Sequence, residues 1–102
     1  MAGRAPKDKG NGFERELVKM ATDSGLDAQR AWGSNGAALG EHPQVDVLVN
    51  GCKIQAKRRR SIAGFMQPTP NVDAVALRAD NGEALVVMRY SDWLDLLAGR
   101  ER

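Results

Sequence analysis

The sequence predicts a domain of the α/β class, α+β type, on three observations. Apolar residues recur at helical spacing from Phe13 to Ala21. Val45–Arg58 alternates apolar residues with others about an Asn50-Gly51 turn. A second pair of apolar runs brackets Asp80-Asn81-Gly82 and leads into a last amphipathic stretch. The element order that follows is α β β β (α) β β α, with five strands.

Each element has a local reason. Residues 1–10 are polar, with Gly, Pro and Lys, and read as a flexible basic arm ahead of a single domain over 11–102. Asn11 caps the first helix and Glu14, three residues on, completes a capping box. Phe13, Leu17, Met20 and Ala21 form its apolar face, and Gly25 stops it. Ala28–Trp32 is a short strand. The small residues of Gly33–Pro43 read as a mobile loop. Val45–Asn50 and Cys52–Arg58 are strands joined by Asn-Gly, a strong hairpin signal. Ser61–Gln67 is a brief helix ended by Pro68-Thr69-Pro70. Asp73–Arg78 and Ala84–Arg89 are the last strands. Ser91 caps a closing helix that packs through Trp93, Leu94, Leu96 and Leu97, with Asp92 favourable in its first turn.

Composition excludes several classes. At 102 residues and 42% hydrophobic, the chain suffices for one modest core and is not a disordered tract. No apolar run approaches the roughly 20 residues of a membrane span, and the N-terminus lacks the apolar stretch of a signal peptide. One cysteine, Cys52, makes no internal disulfide, which suits a cytoplasmic setting (host cytoplasm if the chain is phage-encoded). The formal net charge is only +2, yet Lys53, Lys57, Arg58, Arg59 and Arg60 follow one another with no intervening acid. Such a block binds a polyanion or is a solvated strand end.

The hairpin raises the chemical question. With Asn50-Gly51 as a two-residue loop, Val49 faces Cys52 and Asp46 faces Gln55, on the face that Lys57 shares. Val45, Val47, Val49, Ile54 and Ala56 take the other face, as core. A carboxylate, an amide oxygen and backbone carbonyls suit a hard cation such as Mg²⁺. A lysine beside them can position or deprotonate water, or steady charge on a phosphate. These are parts of a metal-dependent phosphodiesterase, and equally of a hydrogen-bonded, half-exposed sheet face.

The order Glu14, Asp46, Gln55-Ala56-Lys57 resembles the PD-(D/E)XK nuclease superfamily. More narrowly, KGNGFERELV, RAWGS and VDVLVNGCKIQAK are similar to the archaeal-type Holliday junction resolvases and their phage relatives. The resemblance runs from Lys9 to about Arg60. It implies a restriction-endonuclease-like core, a mixed central sheet of about five strands flanked by helices, and a homodimer. It implies Mg²⁺-dependent nicking of four-way DNA junctions in recombination and repair, with Mn²⁺ as a substitute ion. Glu14 would then be the helical acid that helps hold the metal's water. Asp46, Gln55 and the Ala56 carbonyl would be metal ligands, and Lys57 the catalytic lysine. Lys9, Arg15 and Ser34 fall where the family contacts DNA or completes the site, and Arg58, Arg59 and Arg60 adjoin it.

Two departures stand out. Gln55 occupies a place where an acid is commoner, so metal affinity should fall unless Glu14 or Glu41 compensates. Pro43 lies three residues before Asp46 rather than next to it. Other readings therefore stay open: a phage- or restriction-type endonuclease acting on other DNA, or a catalytically inactive DNA-binding dimer. His42 reads as a surface residue and Cys52 as core. Trp32 and Trp93 read as core or interface, Trp32 alternatively as a base-stacking residue. Val75, Leu77, Leu85, Val87 and the last helix offer apolar surface that a symmetric dimer would cover.

Overall fold

The computed structural model describes residues 6–31 and 40–100, with the side chains from residue 12 onward. They fall into two compact units, residues 1–58 and 59–102.

In the first unit, α1 spans Pro6–Asp23. It begins five residues before the expected cap, so Asn11 and Gly12 lie inside the helix. Proline suits the opening turn because its missing N–H has no helical partner to lose. The helix ends as the sequence predicts. Gly25 takes φ 84°, its N–H bonds the Thr22 carbonyl at 2.9 Å, and the Leu26 N–H reaches the Ala21 carbonyl at 3.0 Å. This pair of bonds is a Schellman stop.

Three short strands follow, β1 (Ala28–Arg30), β2 (Val47–Val49) and β3 (Cys52–Ile54). They form one antiparallel sheet in the order β1-β2-β3. Val49 pairs with Cys52, Leu48 with Lys53 and Val47 with Ile54, the register a two-residue turn dictates. Asn50 and Gly51 both take positive φ, 50° and 83°, as a type I′ turn requires. An alanine at Gly51 meets no steric obstacle but must hold the left-handed conformation. Gly51→Ala should therefore cost about 1–2 kcal/mol in urea denaturation.

The core of this unit lies between α1 and the sheet, since α1 packs on β1 and β2. Leu17, Ala21, Ala31, Val45, Val47 and Val49 are buried. Glu14 is buried too, sharing the stripe of Leu17 and Ala21 at i, i+3 and i+7.

The second unit holds a single 3₁₀ turn at Gly64–Met66, strands β4 (Ala74–Leu77) and β5 (Leu85–Met88), and α2 (Tyr90–Leu97). β4 and β5 pair antiparallel in a sheet of their own, with Ala74 opposite Met88 and Leu77 opposite Leu85. Five strands are thus present among the described residues, but as separate antiparallel sheets of three and two. The expected mixed five-stranded central sheet is not among them. Within the second unit β4 and β5 find their hydrogen-bond partners in one another across a short loop. Helix α2 also starts earlier than expected. Its N-cap is Arg89, with no side-chain cap hydrogen bond, so Ser91 lies within the first turn. The Arg89 guanidinium instead bonds the Val72 and Thr69 carbonyls at 3.1 and 2.6 Å, tying the segment after Pro68 to the end of β5.

Candidate nuclease site

Asp46 stands one residue before β2, and the backbone there departs from the ladder. Its carbonyl accepts the Ala31 N–H at 2.9 Å, while its own N–H donates to the Ile54 carbonyl at 2.9 Å. In a regular antiparallel strand a residue exchanges both bonds with one neighbour. Asp46 divides them between β1 and the end of β3. Val47 and Asp46 consequently both face Ile54, as in a β-bulge, a device that re-aims a side chain. The expected direct opposition of Asp46 and Gln55 is therefore corrected: the paired register ends at Val47 and Ile54.

The displaced side chain has a definite partner. Asp46 Oδ2 accepts the Ala56 N–H at 2.7 Å in a half-buried setting. Beyond Ile54 that N–H has left the ladder, so the carboxylate supplies what a strand partner would. The short distance fits a charge-assisted bond. The Asp46 carboxylate is thereby fixed at the middle residue of Gln55-Ala56-Lys57. Gln55 and Lys57 are exposed on either side of half-buried Ala56, keeping strand-like alternation past the end of the ladder.

On α1, the helix that packs on β1 and β2, lies Glu14. Only 3% of it is exposed, and its Oε1 is buried without a hydrogen bond among the described residues, while the residue does make another interaction. The capping-box role expected for it does not apply, because it lies well inside the helix. The helical spacing to Leu17 and Ala21 was the signal that places it inward.

The remaining expected residues divide. Arg15, Arg58, Arg59 and Arg60 are exposed. The Lys9 side chain, Ser34, Trp32 and the loop around Ser34 lie outside the described residues. Glu41 does not stand ready to compensate for neutral Gln55: its carboxylate pairs with Lys53 at 3.0 Å. Among the described residues, no three of His, Cys, Asp and Glu come together. His42 is exposed, and its Nδ1 accepts the Gln44 N–H at 3.1 Å. Cys52 is a half-buried free thiol beside Val49.

A buried helical acid, a strand acid fixed at a Gln-Ala-Lys segment and an adjoining basic run are consistent with a nuclease of the PD-(D/E)XK type. The profile of the archaeal Holliday junction resolvase family (hjc) matches residues 5–63, more than half of the chain, and the chain belongs to that family. No curated protein and no solved structure gives a significant match. The matched span contains Glu14, Asp46, Gln55 and Lys57 and stops before β4. No helix among the described residues is long and apolar enough to cross a membrane.

Proposed function

We propose that this protein is a metal-dependent, structure-selective DNA endonuclease that nicks four-way junctions as a symmetric dimer. The observation that carries the reading is the Asp46 carboxylate held at Ala56 N–H, within a family of junction resolvases. The donor set suits Mg²⁺, with Mn²⁺ as a substitute. Asp46, Gln55, the Ala56 carbonyl and Glu14 would hold the ion. When bound, it polarises the scissile phosphate and lowers the pKa of the attacking water.

The chain's own residues do the rest. The Ala56 N–H fixes Oδ2 of Asp46, and the carboxylate so held would supply negative charge to a bound cation. Glu14, held rigidly by the α1 packing, accepts a hydrogen bond from the nucleophilic water. Lys57, exposed beside Ala56, orients that water or stabilises negative charge growing on the phosphate. Arg58, Arg59 and Arg60 neutralise neighbouring phosphates, as do Lys9 and Arg15, and the Ser34 hydroxyl contacts the DNA or completes the site.

The test compares a labelled four-way junction with a linear duplex of the same sequence, with and without Mg²⁺. Paired nicks confined to the junction and dependent on Mg²⁺ are expected. Equal cutting of the duplex would replace the substrate, leaving a phage- or restriction-type endonuclease. Neutral Gln55 and the Glu41–Lys53 ion pair favour one other reading, a catalytically inactive DNA-binding dimer. Salt-sensitive junction binding without cleavage in Mg²⁺ or Mn²⁺ would establish it.

A further inference from the structure

Phe65 is the most exposed large apolar side chain among the described residues, at 73%. It does not sit on a loose strand of chain. It lies in the 3₁₀ turn Gly64–Met66, where the Met66 N–H bonds the Ala63 carbonyl at 3.0 Å and the Gln67 N–H bonds that of Gly64 at 3.1 Å. Gln67 Nε2 closes the turn on the Ile62 carbonyl at 2.8 Å, and Pro68 follows. A phenyl ring is thus presented to solvent on a hydrogen-bonded support, with Ile62, two residues before the turn, also exposed.

The chain around this ring selects its partner. From Cys52 to Val72 there are five positive charges and no negative one. A second copy seated on this segment would bring two such blocks together, and like-charge juxtaposition opposes that. A polyanion with accessible π-faces is favoured by both features. Nucleic acid with unstacked bases has both, since its phosphates meet the arginines and any base offers a face to an aromatic ring. Four residues lie between Arg60 and Phe65, and the five steps of chain from one to the other span at most about 18 Å. The ring therefore lies within a few nucleotides of any phosphate that Arg60 holds.

We propose that Phe65 is a base-stacking contact that takes an unpaired or unstacked base at the branch of the DNA, while Arg58–Arg60 hold the adjacent phosphates. The inference rests on the DNA-junction reading above and adds the element that tells a branch from continuous duplex. An intact duplex hides its base faces in the stack, whereas a branch point exposes them, so the ring contributes affinity only at the branch.

The experiment places 2-aminopurine either at the branch point or far out in one arm of a synthetic junction, in buffer lacking divalent ions so that no strand is cut. Wild-type protein should change emission from the branch-point probe and leave the arm probe unaltered. Phe65→Ala should weaken junction binding by about 10- to 100-fold, the loss of one aromatic stack, and leave linear-duplex binding unchanged. Phe65→Trp should restore both signals. Unchanged junction affinity and an unchanged branch-point signal in Phe65→Ala would overturn the proposal while leaving the resolvase reading intact. Loss of self-association in Phe65→Ala, read by sedimentation, would overturn it in favour of an interface between copies. Failure of the wild-type protein to prefer the junction at all would sink this proposal and the resolvase reading together.

Discussion

Asp46→Asn is expected to reduce junction cleavage by about 1,000-fold or more, with fold and junction affinity nearly unchanged. Asparagine keeps the side-chain volume, and its amide oxygen can still accept the Ala56 N–H that Asp46 Oδ2 now takes at 2.7 Å. The bend at Asp46, built from main-chain bonds to Ala31 and Ile54, should therefore survive. What is lost is the negative charge that makes the site attractive to a divalent cation. Calorimetric titration with Mg²⁺ should show weaker binding in the variant, a readout independent of cleavage. Gln55→Glu should move the same titration the other way, because it adds a carboxylate where the site has a neutral amide. Cleavage by Asp46→Asn within about tenfold of wild type would exclude Asp46 from the chemistry, since loss of a metal ligand costs far more.

The legible parts of this fold are those fixed by chain-local physics. Asn50-Gly51 sets the β2–β3 register because a two-residue turn leaves one way to pair the flanking strands, and Val49 opposite Cys52 follows from it. Gly25 stops α1 because only a residue at ease with positive φ closes a Schellman motif there. The bend at Asp46 was not legible. It arises from one N–H turning to a different strand and leaves no trace in composition or alternation. It also moved the key acid from facing Gln55 to capping Ala56. The start of α1 escaped for a related reason: Asn11-Gly12 looks like a cap, yet the helix extends through it to Pro6. That apparent cap makes Glu14 look like a capping-box partner, whereas it lies buried on the stripe of Leu17 and Ala21. The strand pairs β2–β3 and β4–β5 were both readable, because each closes over a short turn. Which strands lie next to one another across the long intervening segment is set by tertiary packing, and local sequence does not encode it.

Leu94→Ala is expected to be the most damaging single change to stability, at about 2–5 kcal/mol. Leu94 is 1% exposed and is the only core side chain described in residues 59–102. In the same unit Leu85, Val86 and Leu96 are exposed, and Trp93 is stacked on Tyr90 with ring centroids 5.8 Å apart. A unit of this size has few other buried contacts from which to recover the loss. Hydrogen exchange should show β4, β5 and α2 losing protection well before α1 and the β2–β3 hairpin. The same exposed residues connect stability to assembly. A two-stranded sheet whose paired residues are apolar on both faces, Ala74 to Leu77 against Leu85 to Met88, is marginal in water by itself. Covering it with a second copy would make the melting midpoint rise with protein concentration. Leu96→Ala, at an exposed position, should then leave the dilute protein's stability almost unaltered and flatten that concentration dependence. A midpoint independent of concentration in the wild-type chain would remove the dimer from the proposed mechanism, and with it the pairing of two nicks.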